Sequence, residues 1–399
     1  MAEYTNAEKM KMDEVELEER LKGLGREELP TANIIVAGIS GVGKSTLLNA
    51  VFGSELAQTG KGRAVTAQMA EYGRVGMPVH IWDTVGLELD AEKTKKSIKA
   101  IKETISEKTM SKDMFDRIHA IWYCINSATH KYQAAESEFI KELYSMGVPF
   151  IIVLTQCIEE QEEVDDFAEI IKRINREMGM EGIEIVQVCA MEYKMRGFTL
   201  PAFGLDDLVD ATMRKLPHFI KSGFAAAQRV SKNQKRNQCE EIIYEYVRLA
   251  KNGFWDRVPI ANIIAANDRV LDMFKKIGKI YNTEISQDGV ERIAKECRIN
   301  WENTFEGLIT PFARGYYAKV MGKLKANKQD GFEVAVDDLK KSDRVAVMVA
   351  FYGYTYIEAI EEMWHKFTEE QLKDMQIVVD NMIAIINRIM KEKNWQSKT

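Results

Sequence analysis

The uncharged run Asn33-Ile34-Ile35-Val36-Ala37 leads directly into Gly38-Ile39-Ser40-Gly41-Val42-Gly43-Lys44-Ser45, and residues 46–52 follow with helical spacing. A strand that breaks into G-x-x-x-x-G-K-S and continues as a helix is the arrangement of a phosphate-binding P-loop. The glycines let successive backbone N–H groups turn inward on phosphate oxygens, and the helix adds its positive end. Ser40, Gly41, Val42, Gly43 and Thr46 are therefore expected to line the phosphates. Lys44 is expected to reach the β and γ phosphates, and the Ser45 hydroxyl to ligate Mg²⁺.

A second strand, Pro78-Val79-His80-Ile81-Trp82, ends in Asp83-Thr84-Val85-Gly86. It delivers a carboxylate to the carboxyl end of a sheet, where ligands bind in open α/β folds. Asp83 is expected to hold Mg²⁺, and the Gly86 N–H to bond the γ phosphate. Between the motifs lies the short polar segment Gly62-Arg63-Ala64-Val65-Thr66, whose Thr66 is expected to supply a second hydroxyl to the metal. Losing the γ phosphate would then release both segments, a familiar order-to-disorder switch.

From about residue 31 to residue 217, short apolar runs alternate with amphipathic stretches; NIIVAG, PVHIWD, IHAIWYCIN, PFIIVLT and IEIVQVCA read as strands. That pattern predicts an α/β domain with a mostly parallel sheet. A leading helix is expected within residues 1–30. Beyond Pro217 the strand-like runs stop and long helical patterns take over, so residues 218–399 are expected to form an all-α domain. Gln228 to Gln238, polar and basic, reads as an exposed joint or a solvated helix face. Lys93, Lys95, Lys96, Lys99 and Lys102 alternate with acids and read as an exposed helix face rather than a phosphate-backbone patch. Tyr352, Tyr354, Tyr356, Met363 and Trp364 read as helical core, with a membrane-interface surface as the other reading.

The motifs GISGVGKS, GRAVT and DTVG, in this order, resemble those of Era-like P-loop GTPases of the translation-factor class, a group that includes bacterial GTPases of the 50S ribosome-binding type with a helical carboxyl-terminal domain and the immunity-related GTPases. The resemblance covers roughly residues 33 to 216. It implies a G domain binding GTP and GDP with Mg²⁺, and a catalytic set of Lys44, Thr66 and Gly86. The helical half is only weakly reminiscent of the family's apolar helical domain.

Two positions depart from that family's pattern. Guanine is selected in this class by Asn/Thr-Lys-x-Asp after a strand, whereas here Thr155-Gln156-Cys157-Ile158 puts isoleucine at the aspartate position. Thr155 and Gln156 still fit the first two places, and Glu159 or Glu160 could be shifted into the aspartate's place. Val188-Cys189-Ala190 sits like the loop that backs the base, so Cys189 and Ala190 are expected to contact it, with Met191 in place of a lysine. Leu87 follows Gly86 where Ras-like members place the glutamine that orients water, so hydrolysis is expected to be slow without a partner. The resemblance implies activation by nucleotide-dependent homodimerisation or by an unknown protein partner.

The composition narrows the remaining partners. A net charge of −6 gives no global attraction to nucleic acid or anionic lipid, so no specific nucleic acid is indicated and a membrane surface would need a local patch. Five scattered cysteines form neither a disulfide framework nor a zinc spacing, which implies a reducing compartment. The charged start of the chain lacks the apolar core of a secretory signal, and no run approaches the length that spans a bilayer. A cytoplasmic location is the expectation, with peripheral membrane association as the alternative.

Overall fold

The computed structural model describes residues 29–53, 63–66, 69–73, 77–84, 101–108, 113–132, 134–195, 197–251, 263–283, 285–296, 341–368 and 374–392, with a few isolated positions besides. The expected leading helix lies outside the described residues. The uncharged aliphatic runs become strands covered on both faces: β1 (Ala32–Ala37), β4 (Val79–Thr84), β5 (Ala120–Asn126), β6 (Phe150–Thr155) and β7 (Glu184–Gln187). All five pair in parallel, with β1 held between β4 and β5. Two antiparallel strands, β2 (Arg63–Thr66) and β3 (Met69–Gly73), extend the sheet beyond β4 to give the order β2-β3-β4-β1-β5-β6-β7.

Arg63–Thr66, read from the sequence as a short polar segment, is strand β2 and pairs with the edge of β3, with a register shift between Ala64 and Thr66. A second addition is the hairpin of β8 (Tyr193–Met195) and β9 (Phe198–Leu200), too short to carry a periodic signal.

Because the chain runs from β1 to one side of the sheet and later crosses to the other at β5, the sheet has its switch point at the carboxyl end of β1. That is where an open α/β sheet leaves a crevice. Helix α1 (Lys44–Phe52) starts there, and α2 (residues 101–108), α3 (Ala134–Tyr144), α4 (Gln161–Glu177) and α5 (Leu205–Lys215) complete the domain. Phe52 at the end of α1 stacks on Trp122 of β5 at 5.9 Å, and the Trp122 indole N–H donates to Thr212 Oγ1 at 3.0 Å. Burying aromatic side chains of this size is worth about 1.5–3 kcal/mol each, so the P-loop helix is fixed at its far end by core packing.

Helix α6 (His218–Ala227) lies beyond Pro217, where the helical domain was expected to begin. Its Ile220, Phe224, Ala225 and Ala227 pack into the sheet's core with Phe52 and Trp122. The segment Gln228–Ser231 joins α6 to the next helix; there the Gln228 side chain accepts from the N–H groups of Val230 and Ser231 and donates to the carbonyls of Ala225 and Ser231. The second core is built by α7 (Lys232–Lys251), α8 (Ile263–Ile280), α9 (Gln287–Glu296), α10 (Lys341–Lys366) and α11 (Met375–Glu392). Tyr352, Tyr354, Tyr356 and Met363 are buried in it, Tyr356 stacked on Phe274 at 4.2 Å. Those four side chains are core, not a membrane-facing surface. No helix among the described residues is long and apolar enough to cross a membrane.

Lys235 overturns the reading of Gln228–Gln238 as solvated. It is fully buried, on one stripe of α7 with Cys239, Ile243 and Val247, spaced four residues apart and all buried. Its ammonium donates to the carbonyls of Ala225, Ala226 and Ile280 at 2.8 to 2.9 Å, so three N–H groups meet three carbonyls at the ends of α6 and α8. Burial pushes its pKa down from 10.5 to about 7. Between those values the unfolded chain binds more protons than the folded one, so this residue's contribution to stability grows as pH rises from 7 towards 10.5. Lys235→Met will lower the melting temperature, and thermal melts will show a larger loss at pH 9 than at pH 6; a loss independent of pH would contradict this account of the joint.

Candidate nucleotide site

The loop after β1 takes its shape from Gly38, Gly41 and Gly43, with φ of 142°, 82° and 93°. Gly38 is the most constrained: a Cβ there would lie 2.4 Å from the Cys124 carbonyl, so only glycine lets the loop cross β5. Val42 is buried beneath the loop, whereas Ser40, Gly41, Ser45 and Thr46 are exposed at its mouth. Lys44 is buried, and its ammonium donates to the carbonyls of Gly38 at 3.0 Å and Ile39 at 3.4 Å. The cation is thus held inside the loop, within reach of the space an anion would fill.

Asp83 stands level with Val36 in the neighbouring strand. Burial pushes its carboxyl up to about 6, and the Lys44 charge pulls the other way. Its Oδ1 is buried with no hydrogen-bond partner among the described residues. Leaving such an oxygen without a donor costs free energy, and a hard cation bound together with phosphate oxygens would satisfy it. Among the described residues no cluster of three or more His, Cys, Asp or Glu could hold a metal ion. A magnesium ion at Asp83 would thus take its remaining ligands from the Ser45 hydroxyl, the nucleotide and water, the usual habit of that ion. The donor set fits. Cys124 beside them is kept a thiol by burial, its pKa pushed up to about 12.

The loops after β6 and β7 continue this rim. Thr155 Oγ1 lies 2.5 Å from the Val42 carbonyl and 3.1 Å from that of Ile125, and Gln156 Nε2 donates to the Gly41 carbonyl at 3.4 Å. Both side chains are therefore brought onto the phosphate loop. Gln156 adopts a left-handed φ of 52°, which turns the chain between them. The Cys157 N–H donates to the Val188 carbonyl at 3.3 Å and ties the two loops together, while Cys189 exchanges both backbone hydrogen bonds with Phe203. The Cys189 thiol donates to the Met191 carbonyl.

The expected residues are thus distributed as follows. The structure brings Ser40, Gly41, Val42, Gly43, Lys44, Ser45, Thr46 and Asp83 to one end of the crevice, and Thr155, Gln156, Cys189 and Ala190 along its rim. Thr66 lies in β2, its side chain outside the described residues, as are Gly86, Leu87, Lys93, Lys95 and Lys96. Lys99 is exposed, and Lys102 pairs with Glu142 at 2.7 Å, in keeping with a solvated helix face. A polar cluster not foreseen in the sequence joins Asp165 to the amides of Gln161 and Gln187 at the outer edge of the rim.

Residues 33–156 match the sequence model of the family described as 50S ribosome-binding GTPase. The chain is 26% identical over 233 residues to the tRNA modification GTPase MnmE of Burkholderia cenocepacia, covering 55% of this chain and 45% of that protein. It is 29% identical over 177 residues to Septin-1 of Drosophila melanogaster, covering 38% of this chain and 47% of that one. It spans less than half the length of either relative. Among solved structures, Era of Aquifex aeolicus aligns with a TM-score of 0.32 and 16% identity over 56% of this chain and 68% of that one.

Proposed function

We propose that the chain is a Mg²⁺-dependent switch that binds GTP, hydrolyses it slowly and reports its state through the helical domain, a reading supported by the match of residues 33–156 to the 50S ribosome-binding GTPase family. One observation carries the reading: the buried Asp83 Oδ1, without a hydrogen-bond partner among the described residues, and an ammonium already folded into the phosphate loop. Lys44 would neutralise the β and γ phosphates and the loop's N–H groups would orient them; Asp83 and Ser45, with Thr66 as the further hydroxyl the sequence offers, would hold a metal ion that supplies positive charge at the γ phosphate. The Gly86 N–H is assigned the γ phosphate itself, and Thr155, Gln156, Cys189 and Ala190 the base.

The route to the helical domain starts at the far end of α1. The Arg229 N–H donates to the Val51 carbonyl at 2.8 Å and its guanidinium lies against Gly53, next to the turn that Lys235 anchors. A shift of the P-loop helix would therefore act on the joint directly.

Leu87 cannot polarise water, so an isolated protomer offers only Lys44, Mg²⁺ and backbone donors to the transition state. An added arginine from a partner is worth about 10³ to 10⁵ in rate in such GTPases. Turnover per protomer will therefore rise with protein concentration or with a partner, and a dimer will form with GDP and aluminium fluoride. Specific activity across a hundredfold dilution, with molar mass by light scattering, decides it; a flat curve from a monomer removes self-activation. A second reading, a nucleotide-binding scaffold without turnover, is favoured by Leu87 and Ile158, and phosphate release separates the two.

A further inference from the structure

Backbone register sets two cysteines side by side in the loops after β6 and β7. The parallel ladder holds Leu154 level with Gln187, and the Val188 N–H donates to the Leu154 carbonyl at 2.7 Å. An unbroken ladder would next bring the Gln156 N–H to the Val188 carbonyl. Gln156 instead takes its left-handed turn, and the Cys157 N–H makes that bond at 3.3 Å. With one extra residue on the β6 side, Cys157 stands level with Cys189. Paired strands lie about 4.8 Å apart, within the range of about 4.4 to 6.8 Å that a disulfide asks of its Cα atoms.

The two side chains also share a face. Val186 and Val188 enter the core under α1 and α6, whereas Ile185 packs against the opposite core, so alternation turns Cys189 towards that second side. Phe203, bridged antiparallel to Cys189, packs there too, and Cys157 is buried in the same core. Both are buried free thiols, near enough that a charge on Cys189 would act on Cys157. Each now donates to a carbonyl of its own loop at 3.3 Å, Cys157 to Leu154 and Cys189 to Met191. Cys124 on β5 and Cys239 on α7 have no cysteine level with them among the described residues.

From this register we propose that Cys157 and Cys189 are a modification site, a thiol pair that hydrogen peroxide converts to a reversible disulfide, and that the link weakens nucleotide binding. One thiolate attacks a peroxide oxygen, the O–O bond breaks, and hydroxide leaves a sulfenic acid. The second thiolate attacks that sulfur; the S–S bond forms as the S–O bond breaks. Two thiols have then given up two electrons and two protons, and the peroxide has become two waters. Burial holds both thiols protonated, Cys157 pushed up to about 11, so the first step is slow at neutral pH. The effect on nucleotide rests on the site proposed above. Gln156, which donates to the Gly41 carbonyl of the phosphate loop, adjoins Cys157, and Ala190 adjoins Cys189, so drawing the sulfurs together pulls on both sides of the rim. Disulfides of this kind inside cells are transient and redox-sensing.

The test treats the reduced full chain with hydrogen peroxide in mildly alkaline buffer, alkylates the remaining thiols after denaturation and maps the peptides by mass spectrometry. GDP affinity in Mg²⁺ is measured before treatment, after it, and again after dithiothreitol. A peptide pair joining Cys157 to Cys189 is expected, in preference to any pair with Cys124, Cys239 or Cys297, with GDP bound at least tenfold more weakly until the link is reduced. Cys157→Ala, its fold checked by circular dichroism, is expected to form no link and to show the same GDP affinity before and after peroxide. If Cys157 and Cys189 are both alkylated in full, or are oxidised to sulfinic acid without a linked peptide, the pair is overturned. A linked peptide with unchanged GDP affinity overturns the control of the site. Failure of the reduced protein to bind GDP would instead remove the nucleotide site, and the peptide map would still decide the link.

Discussion

Replacing Lys44 by alanine will weaken the binding of GDP and GTP by about 2 kcal/mol or more, roughly thirtyfold in dissociation constant, because a charge-assisted phosphate contact is lost. In the structure this ammonium has no carboxylate in hydrogen-bond contact; it donates to two carbonyls of its own loop, Gly38 and Ile39. It is thus stored at the place of use and needs little reorganisation to meet phosphate. Titration of a fluorescent GDP analogue into parent and variant measures the difference. Equal affinities would show that the glycine loop is structural and that phosphate binds elsewhere.

Asp83→Asn will abolish Mg²⁺-dependent hydrolysis, by about 10²-fold or more, and at the same time raise the melting temperature of the nucleotide-free protein at pH 8. The two effects share one cause. A carboxylate pushed up to about 6 by burial, against 3.8 unfolded, is costly to keep ionised in the fold. Folded Asp83 binds protons more tightly than the unfolded chain, so its penalty is fully present above pH 6 and fades as pH falls through 6 towards 3.8. The amide removes the penalty and the metal ligand together. The stabilisation is therefore expected at pH 8 and to shrink towards pH 4, read by thermal melts, while phosphate release reports the lost activity. A variant that turns over like the parent, or melts lower at pH 8, would contradict the role given to this residue.

Much of the α/β half was legible because its strands are buried on both faces and so read as unbroken apolar runs, from Ile34-Ile35-Val36 to Ile151-Ile152-Val153. The phosphate loop was legible because its glycines answer a local demand, such as the 2.4 Å approach of Gly38 to the Cys124 carbonyl. Edge features were not. Arg63–Thr66 and the β8–β9 hairpin are short, and what makes them strands is a neighbour's open ladder rather than their own pattern. Apolar helical residues do not say which core they enter: α6 sends Phe224 into the sheet's core and Ala226 into the helical one. Lys235 is the sharpest case: composition marks a lysine as solvated, and only the four-residue spacing to Cys239 and Ile243 pointed inward. At the rim, sequence identified Ile158 as the departure, but which way Glu159 turns depends on a contact with the Ile158 N–H and a neighbour, His130, distant in the chain.

The central claim is that the phosphate loop, Lys44 and Asp83 together form a working GTPase centre. Phosphate release from GTP by the full chain, followed with and without Mg²⁺, tests it most directly. The account predicts slow release that saturates with GTP and stops when Mg²⁺ is chelated. Release that is undetectable at every protein concentration, or that proceeds unchanged without Mg²⁺, would contradict it.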